Sequence, residues 1–208
     1  MNKNIGVVIL AAGLATRMGR QKLLLPLRGQ PLITYMLQTT ASLPFADKIA
    51  VIGEPRQELT QICTNYGIPS IFNVDRNTGQ SSSIKLGLAQ LSPDLDGFMF
   101  LPGDQPLLSL SLLQALIACF CDHFHPDRIV VPSFQGEYRS PAVFGSSWRE
   151  KLEKLTGDGG GRSIIRRHPE VITTVEWKDE HVFWDADTWD DYQRLVQWVV
   201  DSRIVDSG

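Results

Sequence analysis

The chain has 208 residues, 43% of them hydrophobic and 21% charged, with a formal net charge of -3. That length suits one domain with a sizeable core, and the composition is that of a globular protein rather than a disordered chain. A duplex nucleic-acid binder presents a basic face, and no basic run occurs here, so nucleic acid is not the expected partner; a small anionic ligand needs only a few well-placed cations.

Ile5 to Leu10 is an apolar run that reads as a buried strand. It is too short to span a membrane, and it ends in a glycine loop rather than a signal-cleavage site. With no targeting segment and no transmembrane span, no membrane partner is expected and the cytoplasm is the expected location. Gln30 to Leu43 reads as a helix with Leu32, Tyr35, Met36 and Leu43 on one stripe. Lys48 to Ile52 is a second strand, Arg56 to Tyr66 a helix, and Ser70 to Asn73 a third short strand. Ser81 to Leu91 reads as a helix whose first serines suit capping.

Gly97 to Leu101 is another buried strand, followed by a helix from Ser109 to Cys121 with Ser109 or Ser111 as its cap. Arg128 to Pro132 and Tyr138 to Phe144 read as strands, and Ser147 to Leu155 as a helix. A glycine-rich loop, Gly157 to Gly161, leads into a short helix ending at Arg167. Val171 to Val175 is a strand and Thr188 to Val200 a closing helix. The alternation predicts an α/β fold, a mostly parallel sheet with helices on both faces, formed as one domain over residues 1–208. Ligands of such folds sit beyond the carboxyl ends of the strands, which selects the loops to inspect. The three cysteines, Cys63, Cys119 and Cys121, fit no zinc or CxxC spacing and read as free thiols. The four histidines show no ligand spacing either.

The first such loop runs from Ala11 to Lys22. Its small residues let backbone amides approach phosphate oxygens, and Arg17 and Lys22 add fixed positive charge, which transfer at phosphorus requires. It is neither a Walker A motif nor a GxGxxG motif; a glycine-rich turn with two solvated cations is the bland alternative. Asp104, in Leu101-Pro102-Gly103-Asp104-Gln105-Pro106, lies just past a buried strand, where a carboxylate suits a hard cation or simply a turn. Asp185 and Asp187 are among several acids that precede the last helix, where Asp187 or Thr188 suits a cap. Asn73 to Ser83 includes Gly79, Gln80 and Ser82 at a helix start rich in hydroxyls, suited to polar or anionic groups or to capping alone.

The stretch Val8 to Pro26, VILAAGLATRMGRQKLLLP, closely resembles the signature of the MobA-like nucleotidyltransferases, and is most similar to that of the molybdenum cofactor cytidylyltransferases. The resemblance implies a three-layer Rossmann-like nucleotidyltransferase fold and a magnesium-dependent transfer of CMP from CTP to the phosphate of a molybdopterin-type acceptor. It implies that Arg17 and Lys22 are catalytic, stabilising charge on the phosphates. Leu10, Ala11, Ala12 and Gly13 would line the base and phosphates, with Gly79, Gln80 and Ser82 around base and ribose. Asp104, with Asp185 or Asp187, would hold Mg2+. Arg139 and Arg162, the latter in a segment similar to the family's GDxGxR loop, would meet the acceptor. Transient contact with a molybdoenzyme or its chaperone is a further implied partnership. Guanylyl-transferring relatives carry two glycines where this chain has Ala12-Gly13, and the methyl disfavours a purine. Two segments depart from the family: Thr188-Trp189-Asp190-Asp191 stands for Thr-Pro-Glu-Asp, and Arg139-Ser140-Pro141 stands where glycine and histidine precede the proline. The second departure leaves the acceptor open. A GTP- or sugar-phosphate-using transferase and a non-catalytic cofactor carrier remain the alternatives.

Overall fold

The computed structural model describes residues 3–14, 18–122 and 124–205, the last four by backbone alone. Its central strand is β1 (Ile5–Ala11). Successive strand side chains point to opposite faces, and here Val7 and Ile9 enter one apolar cluster while Val8 enters another, all three fully buried. A continuous apolar run is what a strand needs when helices cover both of its faces.

β1 pairs in parallel with β4 (Asp47–Ile52) on one side and β6 (Gly97–Pro102) on the other, and β5 (Ser70–Phe72) extends the sheet in parallel beyond β4. Outside β6 lies β9 (Ala142–Gly145), antiparallel to β6 and also to β7 (Ile129–Phe134), so β6 and β7 themselves point the same way. β10 (Ile172–Glu176) adds in parallel to β7, and the two-residue β8 (Glu137–Tyr138) folds back on it. The order is therefore β10-β7-β9-β6-β1-β4-β5, with β2 (Pro26–Leu27) and β3 (Gln30–Pro31) forming a separate small hairpin.

One face is covered by α1 (Leu32–Ala41), α2 (Arg56–Asn65) and α4 (Leu110–Asp122), through residues such as Met36, Leu59 and Phe120. The other is covered by α3 (Gln80–Leu88), α5 (Arg149–Glu153) and α6 (Gly160–Arg167), through Ile84, Leu152 and Ile164. The last helix, α7 (Trp189–Val205), buries Leu195 and Val199 against Leu27, Leu32 and Ala186. Each fully buried aliphatic or aromatic side chain contributes roughly 1.5–3 kcal/mol. α3 lies very close to β1: a Cβ on Gly87 would fall 2.4 Å from Cγ1 of Val8.

The mostly parallel sheet between two helical layers is the fold expected from the sequence. Two details differ, and a third holds. The single strand expected over 138–144 is two strands, β8 and β9, with Pro141 between them, because proline has no N–H to give a ladder. The helix expected from Ser81 starts at Gln80, and no side chain caps it. Ser109 does cap α4, its hydroxyl accepting from the Leu112 amide at 3.2 Å, as expected.

Candidate active site

The carboxyl ends of β1 and β6 and the start of α3 open onto a cavity of about 280 Å³. Leu10, Ala11, Ala12 and Gly13 line it from the end of β1, and Gly79, Gln80 and Ser83 from the start of α3. Lys22 and Asp104 line it as well, with Gln21, Arg76 and Asp158.

Lys22 opens a single 3-10 turn, Lys22–Leu24. The turn is pinned on both sides of the lysine. Leu23 is buried in the core, and the side chain of Gln21 accepts from the Leu23 amide at 3.3 Å and donates to the Glu54 carbonyl at 2.5 Å. Asp104 follows β6 by way of Gly103, whose amide donates to the Leu10 carbonyl at 3.0 Å. A Cβ on Gly103 would lie 3.0 Å from that same oxygen, so the glycine permits the close approach.

The segment before α7 hangs from the end of β6. The Ala186 amide donates to the Asp104 carbonyl at 3.1 Å, and buried Gln105 donates through Nε2 to the Phe183 carbonyl at 3.1 Å. This brings Asp185 and Asp187 to Asp104. Nζ of Lys22 then donates to Oδ2 of Asp104 at 2.5 Å and to Oδ1 of Asp187 at 2.6 Å. Thr188 caps α7: its hydroxyl accepts from the Asp191 amide at 3.2 Å while Asp191 accepts from the Thr188 amide at 3.0 Å, a reciprocal capping box. The cap falls to Thr188, and Asp187 turns to Lys22.

Burial by itself would favour a neutral Lys22 amine, but the charge and hydrogen bond of Asp104, joined by those of Asp187, outweigh it and raise the pKa. Burial, followed by the charges of Asp104 and Asp187, pushes the Asp185 carboxyl up to about 6. Three acids thus share a small region around one ammonium.

At the start of α3, buried Asn73 donates from Nδ2 to the hydroxyls of Ser82 and Ser83, both at 2.9 Å. Ser82 donates onward to the Gly79 carbonyl at 2.8 Å. Gly79 has a φ of 103°, and a Cβ there would strike the Gly157 carbonyl carbon at 2.5 Å and Oδ1 of Asp158 at 2.6 Å. A Cβ on Gly160 would meet Oε1 of Gln80 at 2.1 Å. The glycine-rich loop therefore rests directly on Gly79 and Gln80, and its Asp158 lines the cavity.

Of the residues expected from the sequence, Leu10, Ala11, Ala12, Gly13, Lys22, Gly79, Gln80 and Asp104 meet at one cavity. Asp187 joins them through Lys22, and Asp185 lies within the field of both other aspartates. Ser82 does not line the cavity; its hydroxyl is held within the loop, and Ser83 takes the lining position. Arg139 follows β8 and precedes β9, whose first residue pairs with Phe100 near the end of β6, so it sits on the same rim. Arg162 is exposed on α6, and neither arginine lines the cavity. Arg17 lies outside the described residues. Gln21, Arg76 and Asp158 escaped sequence reasoning because their positions depend on tertiary neighbours. Arg76, for example, packs on Gly53, where a Cβ would fall 2.8 Å from the guanidinium.

The donor set fits a hard divalent cation. Asp104 and Asp187 converge on one positive charge, and magnesium takes one or two carboxylates and completes its shell with phosphate oxygens and water. Among the described residues no three acidic, histidine or cysteine side chains close into a metal-holding group, so the protein supplies only part of such a shell. Among the same residues, no helix is long and apolar enough to cross a membrane.

The fold and this rim define an α/β protein of the nucleotidyltransferase superfamily. Residues 7–171 match the MobA-like NTP transferase domain, and the chain belongs to that family. It is 31% identical over 197 residues to purine catabolism protein PucB of Bacillus subtilis strain 168, covering 90% of this chain and 94% of PucB. It is 26% identical over 140 residues to a protein of Natranaerobius thermophilus named "Probable molybdenum cofactor guanylyltransferase", covering 66% of this chain and 64% of that one. Nicotine blue oxidoreductase of Paenarthrobacter nicotinovorans is 26% identical over 198 residues, with 91% of this chain and 95% of that one covered. Among solved structures, Rv0371c of Mycobacterium tuberculosis H37Rv in complex with manganese superposes with a TM-score of 0.78 at 26% identity, covering 93% of this chain and 98% of that one.

Proposed function

We propose that the protein transfers CMP from CTP to the terminal phosphate of a molybdopterin-type acceptor, releasing pyrophosphate. The observation that carries this reading is the meeting of Lys22, Asp104 and Asp187 beside the cavity lined by Ala11, Ala12, Gly13, Gly79 and Ser83. The cavity takes the nucleoside, its backbone amides and small side chains allowing close approach. Lys22, with Arg17, neutralises charge on the triphosphate as its innermost phosphorus changes partners. Asp104 with Asp187 would hold Mg2+, with Asp185 beside them, and the bound ion supplies charge neutralisation for the phosphates. Manganese bound to the similar Rv0371c supports a divalent ion here.

The acceptor approaches from the β7 and β9 side of the rim, where Arg139 and Arg162 are the candidate contacts for its phosphate. Molybdopterin is read from the likeness of the first loop to molybdenum cofactor cytidylyltransferases, and the guanylyltransferase relative supports the same acceptor class. Cytosine over guanine is read from Ala12, which is 4% exposed and lines the cavity, so its methyl takes room that a second glycine would leave.

Pyrophosphate release is the test, measured with CTP and with GTP, with and without molybdopterin, in the presence of Mg2+. Release is expected with CTP and acceptor together. Faster release with GTP reassigns the base, release with a sugar phosphate instead of molybdopterin reassigns the acceptor, and no release under any pairing returns the protein to the class of carriers.

A further inference from the structure

The oxygens of Asp104 and Asp187 that would face a divalent ion already face a cation: the Lys22 ammonium, at 2.5 Å and 2.6 Å. The same lone pairs cannot serve both. Lys22 does not sit there by drift. Its side chain is 13% exposed, and its turn is fixed by buried Leu23 and by the two hydrogen bonds of Gln21. Nor is the contact electrically redundant, because Asp104 and Asp187 repel the Asp185 carboxylate and, among the described residues, the Lys22 ammonium offsets that repulsion.

We infer that Lys22 is an internal placeholder for the divalent cation. In the protein without nucleotide, its ammonium occupies the place between Asp104 and Asp187, and the ion binds there only after Lys22 has left. The lysine stem has four rotatable carbons and a point charge, so it can transfer its hydrogen bonds to other oxygens without moving its backbone. Phosphate oxygens arriving in the cavity that Lys22 also lines are the acceptors that draw it away. Metal alone therefore binds weakly, and the triphosphate is what frees the carboxylate pair. The same side chain first guards the metal site and then serves the phosphates. This inference rests on the reading of Asp104 and Asp187 as metal ligands.

Manganese alone is the probe. Free Mn2+ is counted by electron paramagnetic resonance in titrations of nucleotide-free protein, using wild type, Lys22→Gln, Lys22→Arg, Asp104→Asn and the Lys22→Gln/Asp104→Asn double variant. Lys22→Gln is expected to bind Mn2+ about tenfold more tightly than wild type or better, as removal of a competing, partly buried charge implies. Lys22→Arg keeps the positive charge and is expected to stay weak, and the gain should vanish in the double variant. Unchanged or weaker binding by Lys22→Gln, with Mn2+ lost in Asp104→Asn, overturns the placeholder while leaving the metal ligands in place. Mn2+ binding by Asp104→Asn equal to that of wild type removes the ligand assignment and the placeholder with it. A measurement without variants stands beside these. The Nζ resonance of Lys22 in 15N-lysine-labelled protein should lose its ion-paired position on saturation with Mg2+, and a resonance that does not move overturns the inference.

Discussion

Asp104 takes part in two separate sets of interactions. Its carbonyl holds the Ala186 amide and so the segment before α7, while its carboxylate meets Lys22. Asp104→Asn keeps the first and removes the second charge-assisted contact. It is expected to lower pyrophosphate release by about 10²–10³-fold, the size seen when one electrostatic group of a transfer site is removed. Circular dichroism should show the fold retained; full activity in that variant would count against the site. Ala12→Gly is a milder change. It should shift the CTP-to-GTP ratio of kcat/KM toward GTP by roughly 10- to 200-fold at most, the range that one methyl group commands.

Asp185 has its folded-state pKa pushed up to about 6, above the ordinary carboxylate range, so the folded protein holds this proton more tightly than the unfolded chain does. Its protonation therefore supports the fold at low pH, and that support is lost as pH rises from the ordinary carboxylate range through about 6. Asp185→Asn cannot ionise, so its melting temperature relative to wild type should be higher at pH 7 than at pH 4.5 in metal-free buffer. An equal difference at both pH values contradicts the assignment. Lys22 and Asp104 stood out in the sequence as charged residues in loops that follow apolar strands, whereas Asp185 and Asp187 stood out only as a pair, through the likeness of the segment before the last helix to the family's pattern. Gln21 and Arg76 were not, because their significance lies in partners such as the Glu54 carbonyl and Gly53, which the sequence does not bring near them.

Among the elements, α3 shows most clearly how packing sets the site. Gly87 is where the helix touches β1, with Cγ1 of Val8 2.4 Å from a would-be Cβ. Alanine at this position gains about 0.5–1 kcal/mol in helix propensity but costs about 1–3 kcal/mol in overpacking, so the clash decides the sign. Gly87→Ala should lower the urea midpoint, and because α3 must lift from β1 it should also weaken nucleotide binding in the cavity between them. A more stable variant would show that the helix shifts freely. The helix itself was legible, its first serines read as caps, but what those serines do was not: Ser82 and Ser83 take hydrogen bonds from Asn73, which follows β5 and reaches them only in the fold. Likewise β9 was legible as apolar strand but not as an antiparallel one, since alternation carries no direction.

For the molecule as a whole, that one reversed strand matters. With β9 inserted, β5, β4, β1, β6, β7 and β10 all keep the same heading, and their carboxyl ends share one rim. The turn that opens β9 lands on the same rim, so the loop carrying Arg139 faces the same side as the loop carrying Asp104. The two apolar clusters on opposite faces of a single sheet make partial unfolding of either face costly to the other. Urea unfolding followed by tryptophan fluorescence and by far-ultraviolet circular dichroism should therefore trace one coincident transition, and two separated midpoints would divide the chain into independent units.

Lys22 and Asp187 are 165 residues apart along the chain. A ribosome-bound chain that has completed β1, β4 and β6 already holds the lysine and Asp104 but lacks the other carboxylate, so half a docking point for the ammonium exists long before the whole one. The ion-paired arrangement is thus completed late, by the segment that leads into α7, and an incompletely translated copy would hold Lys22 against Asp104 without the second carboxylate that shares its charge.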